Sequence, residues 1–141
     1  MRLSVMFPRR ILAAVLVAMT LAGSAPADGA YLFDLLKQPT YRAAWTAMFK
    51  GEKGIDPWIA TFARTYDGVA TASSEVTVNG QSNLVAEVCK PHDCGGNRLY
   101  VLFAPGARQA WGLLVVDGAS PRWFGKPGAA IRDALNEASQ Q

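Results

Sequence analysis

Cys89-Lys90-Pro91-His92-Asp93-Cys94-Gly95-Gly96-Asn97 holds both cysteines of the chain and its one histidine, followed by two glycines. The runs on either side, Ser82 to Val88 before and Arg98 to Phe103 after, read as strands. Two β-rich runs around a short glycine-containing connection read as a hairpin. The stretch is therefore expected to be a protruding hairpin tip, closed by a Cys89–Cys94 disulfide and holding an imidazole out to a partner. Four residues separate the cysteines, a spacing that lets them face each other across the base of a tight loop. Closing so small a ring stabilises a fold by only about 2 kcal/mol. The local effect is larger: the bridge and the fixed φ of Pro91 restrict Lys90 to Asp93 before any partner arrives. Gly95 and Gly96 let the chain turn back where a side chain would crowd it, and Asn97 flanks the loop.

Working outward, the period of two continues on both sides of the tip. Glu75 to Val78 leads into Asn79-Gly80, a strong two-residue hairpin signal. Ala104 to Ala107 reads as a turn, Gln109 to Val116 as a strand, Asp117-Gly118 as a turn and Arg122 to Phe124 as a short strand. Before Val69 the spacing is helical. Tyr31 to Lys37 places Leu32, Leu35 and Leu36 on one face and is expected to end at Pro39. Thr40 then caps a second helix through Lys50, with Tyr41, Ala44, Trp45 and Met48 on one stripe and Gly51 as its stop. Asp56-Pro57 opens a third, burying Trp58, Ile59 and Phe62 and fading near Tyr66-Asp67-Gly68. Pro127 to Ser139 closes the chain as a helix with Ile131, Ala134, Leu135 and Ala138 on one face. Helices, then about five strands joined by short turns, then one helix predict a single α+β domain over residues 28–141. The sheet is expected to be antiparallel and flanked by helices.

The amino terminus reads differently. A basic start with Arg2, Arg9 and Arg10, an apolar run from Ile11 to Leu21 and small residues through Ala27 make a secretory signal peptide over residues 1–25. Cleavage is expected near Ala25 or Ala27. The apolar run is short for a bilayer span, which disfavours a retained anchor, and no cysteine follows it to carry a lipid. Losing the three leader arginines takes the basic count from 14 to 11, equal to the 11 acidic residues. A near-neutral chain is a poor ligand for nucleic acid or an anionic membrane. Export points to the periplasm, an oxidising compartment in which two cysteines at this spacing are expected to be bonded.

Several chemistries fail at the tip. A thioredoxin-type site wants two residues between its cysteines and a helix start. A metal site needs more ligands than one histidine and one acid once the thiols are oxidised, and a bonded cysteine offers no nucleophilic thiolate. The chain carries no G-x-S-x-G, phosphate-binding loop or H-E-x-x-H signature. No cofactor, metal or catalytic residue is assigned. The plain alternative is an exposed disulfide turn with an idle histidine, which leaves its place between proline and aspartate unexplained.

The run Cys89-Lys90-Pro91-His92-Asp93-Cys94, followed by Gly95 and Asn97, resembles the signature loop of the Ivy family, exported bacterial inhibitors of vertebrate C-type lysozyme. The resemblance extends to chain length, leader and order of elements. It implies an inhibitor with no catalysis of its own, monomeric or homodimeric, whose His92 enters the lysozyme cleft. There it would hydrogen-bond the two carboxyl groups that cleave the wall polymer, one protonated and one ionised. Lys90, Pro91 and Asp93 would share the contact, Asp93 by holding the ring or meeting a basic rim group and Lys90 by meeting an acidic one. A periplasmic binding module that restrains the cell's own lytic transglycosylases, or another cell-wall partner, is the alternative.

Overall fold

The computed structural model describes residues 28–141. The leader, residues 1–25 with its cleavage near Ala25 or Ala27, lies outside the described residues. Helices α1 (Leu32–Leu35), α2 (Pro39–Met48) and α3 (Pro57–Thr65) come first. Strands β1 (Val69–Ala70), β2 (Ser74–Val78), β3 (Gln81–Cys89), β4 (Asn97–Phe103), β5 (Ala110–Val116) and β6 (Arg122–Phe124) follow, and α4 (Ala129–Ala138) closes the chain. Among the described residues no helix is long and apolar enough to cross a membrane.

The strands form one antiparallel sheet in the order β1-β3-β4-β5-β6, with β2 also on β3. β1 pairs with the Val88–Cys89 end of β3 and β2 with its Gln81–Val85 end, so the two share one edge. The sheet is thus five strands wide, as the turn signals required. Asn79 and Gly80 both take positive φ, 51° and 74°, and Val78 faces Gln81 across them. That is the left-handed pair a type I′ turn needs.

Both faces of the sheet are covered. Leu84, Ala86 and Val88 of β3, Leu99, Val101 and Phe103 of β4 and Phe124 of β6 pack with Leu32, Leu35, Trp45, Met48, Ile59 and Phe62 from α1–α3. On the other face Val85, Tyr100, Leu102 and Leu113 pack with Leu135 of α4. β4 therefore reads as an unbroken apolar run from Leu99 to Phe103, because a strand buried on both faces has no solvent side to keep polar. Each fully buried large side chain contributes about 1.5–3 kcal/mol, so the double layer, and not the small disulfide ring, holds the domain together.

Two helix boundaries differ from the sequence reading. Pro39 does not end the first helix and Thr40 does not cap the second. Pro39 is the first residue of α2, with Gln38 before it, and α1 is a single turn. At that position the missing proline N–H would have had no helical partner anyway, and its fixed φ already suits the helix. α3 begins as read: the Asp56 carboxylate accepts from the Trp58 N–H at 3.3 Å and Pro57 follows it.

The antiparallel order puts the β3–β4 loop and the β5–β6 turn at one end of the sheet. The Asn79-Gly80 turn and the β4–β5 connection lie at the other.

Candidate functional site

The β3–β4 loop is built from its base upward. Cys89 ends β3 and pairs with Arg98 on β4. Its sulfur is bonded to that of Cys94, and the two Cα atoms lie 4.8 Å apart. Above the bridge the backbone closes on itself. Lys90 N–H donates to the Asn97 carbonyl at 3.0 Å, Asp93 N–H to the Lys90 carbonyl at 3.0 Å and Asn97 N–H to the Asp93 carbonyl at 3.1 Å. The Asn97 side-chain amide donates to Asp93 Oδ2 at 2.6 Å. His92 stands at the apex, exposed, with φ 63°. The left-handed region is uncommon for a residue with a Cβ, and here covalent and hydrogen-bond closure hold it.

Every loop residue singled out from the sequence is in this one constellation. Asp93 is exposed but committed to Asn97, so it shapes the loop that carries His92. Lys90 leans back onto its own chain, its Nζ 3.9 Å from Asp56 Oδ2 at the start of α3. Both partners are more than a third exposed, so this pair adds little to stability. The glycines differ. A Cβ on Gly96 would sit 2.9 Å from Asp93 Oδ1, whereas one on Gly95 would meet open space.

Three supports were not legible from the motif. Arg98 Nε donates to the Cys94 carbonyl at 2.8 Å and lies 3.8 Å from Glu87 Oε1. Tyr100 first, through hydrogen bonding and charge, and then Glu87 and Asp117 raise the Arg98 pKa above the ordinary arginine value; a guanidinium is cationic at any working pH even without that shift. Asp117 N–H, from the β5–β6 turn, donates to the Gly96 carbonyl at 2.9 Å. Asp56 is the third. Arg98 could have been suspected from its place four residues after Cys94; Asp56 and Asp117 arrive through topology, which no local pattern reports.

Among the described residues no three His, Cys, Asp or Glu side chains gather as a metal site would require. What this end of the molecule offers is one accessible imidazole on a braced stalk.

A family model described as inhibitor of vertebrate lysozyme (Ivy) matches residues 40–141. The chain belongs to the Ivy family. An inhibitor of vertebrate lysozyme from Pseudomonas aeruginosa is 38% identical over 117 residues, covering 74% of each chain. The Ivy relative from Escherichia coli, also named an inhibitor of vertebrate lysozyme, is 33% identical over 97 residues, covering 68% of this chain and 58% of its own. An uncharacterised protein of Yersinia pestis is 32% identical over 114 residues. The matched span takes in the whole sheet, the disulfide loop and α4, so the Ivy assignment covers every residue of the site described above.

Proposed function

We propose that this protein is an exported, non-catalytic inhibitor of C-type lysozyme that works from the periplasm by inserting His92 into the lysozyme cleft. The observation that carries the reading is the exposed His92 at the apex of a disulfide-braced loop, in a chain whose named relatives are lysozyme inhibitors. A neutral imidazole offers one N–H donor and one acceptor nitrogen. Lysozyme of this type keeps one catalytic carboxyl protonated and the other ionised, so one accepts from the ring while the other donates to it. A ring in that place blocks both groups and the sugar that must lie between them. The bridge and Pro91 reduce the entropy lost on insertion, because the loop is already closed when the enzyme arrives.

The test is a titration of wall lysis. Protein beginning at Asp28 is mixed with a C-type lysozyme, and separately with a lytic transglycosylase, on bacterial cell walls. Stoichiometric loss of lysozyme activity is expected. Undiminished lysozyme activity with a blocked transglycosylase would transfer the loop to the cell's own wall enzymes and overturn the lysozyme reading.

A further inference from the structure

The loop from Lys90 to Gly96 is seven residues long, whereas a stable protein–protein interface engages about 20–30 residues on each side. A partner that takes in the loop must also rest on what surrounds it. The sheet order fixes those surroundings: β1 lies beside β3 on one flank, and the β5–β6 turn lies beside β4 on the other.

Each flank has a distinct surface. On the first, Val69 pairs with Cys89 across the ladder and is 56% exposed, one of two large apolar side chains so placed among the described residues. The chain just before it is packed hard onto the bridge. A Cβ on Gly68 would lie 2.8 Å from Val88 Cγ2 and 3.2 Å from the Cys89 carbonyl. Val69 is therefore a fixed apolar point beside the disulfide. On the second flank Asp117, Gly118, Ala119, Ser120 and Pro121 are all exposed. Their turn is closed by Ala119 N–H donating to the Val116 carbonyl at 3.1 Å and tied to the loop through Gly96. Arg122, next in the chain, donates to the Gly54 and Lys53 carbonyls at 2.8 and 2.6 Å and lies 3.2 Å from Glu52 Oε2. Most of these turn side chains are small, so they lose little rotamer freedom on contact and let another backbone approach closely.

We propose that Val69 and the Asp117–Pro121 turn are two shoulders that seat on the lips of the hydrolase cleft while His92 occupies its floor. This rests on the function proposed above and adds to it where the rest of the interface lies. The shoulders set how deep the imidazole reaches, and they give the complex the contact area that the loop lacks.

The experiment compares Val69→Arg, Ala119→Arg and Gln81→Arg for lysozyme inhibition and melting temperature, with wild type and His92→Ala alongside. Gln81 is also exposed but sits at the far end of β3. Each shoulder variant is expected to weaken inhibition about tenfold or more at an unchanged melting temperature, while Gln81→Arg inhibits as wild type does. Should Val69→Arg disturb the fold, Val69→Ser is the substitute, with about a threefold loss expected from the missing apolar contact. Shoulder variants within about twofold of wild type, in the same assay where His92→Ala fails, would overturn the proposal and leave the plug intact. A wild-type protein that spares lysozyme would instead remove both.

Discussion

β3 ends in two turns that close by opposite means. At its start, Asn79 and Gly80 suit their left-handed dihedrals, and a two-residue turn forms from backbone preference alone. At its end, a seven-residue loop carries His92 at φ 63°, with glycine placed at Gly95 and Gly96 and not at the left-handed position. That conformation costs a residue with a Cβ about 1–2 kcal/mol. A disulfide, three backbone bonds and the Asn97–Asp93 bond hold it there. One turn is written to close the chain; the other keeps a particular side chain at its apex against local preference. Tyr66, Ala107 and Lys126 also take positive φ, so the dihedral alone marks no site; what sets His92 apart is the covalent and hydrogen-bonded closure around it.

The contrast is open to attack by substitution. Cys89→Ser with Cys94→Ser should have the largest effect after loss of His92 itself. If the roughly 2 kcal/mol of ring closure is then lost on binding instead of in folding, inhibition weakens about 30-fold. The double layer of core should limit the fall in melting temperature to that expected of a small ring. Equal losses in both readouts would make the bridge a fold staple. Gly96→Ala comes next. Its Cβ would push the Asp93 carboxylate off its place at 2.9 Å and strain the Asn97 bond. Losing a bond of about 0.5–1.5 kcal/mol lowers inhibition between about twofold and tenfold; Gly95→Ala, with open space around it, serves as the control. At the other turn Asn79→Ala should reverse the pattern, lowering stability by about 1 kcal/mol, read by urea unfolding, with inhibition unchanged.

Much of this was readable in the chain because local chemistry agrees with the tertiary result. Asn79-Gly80 and Asp56-Pro57 each specify their turn or helix start without help from distant residues. The loop was legible for a covalent reason: two cysteines with four residues between them, behind an amino terminus that reads as an export leader, are expected to be bonded, and Cys89 and Cys94 are. Pro39 misled because proline both stops one helix and starts the next, and its neighbours do not say which. The contacts from Asp56 and Asp117 depend on strand order and on where α3 lies, which are properties of the assembled sheet.

The central claim is that His92 is the anchor and that the rest of the loop exists to present it. Its most direct test is a side-by-side titration of lysozyme with wild type and His92→Ala, with the melting temperature of each. Truncating one partner of a desolvated, hydrogen-bonded charged site costs about 2–5 kcal/mol. His92→Ala should therefore weaken inhibition about 30- to 3000-fold while melting as wild type does, since the side chain is exposed and holds nothing in the fold. A His92→Ala protein that inhibits as strongly as wild type would contradict the account.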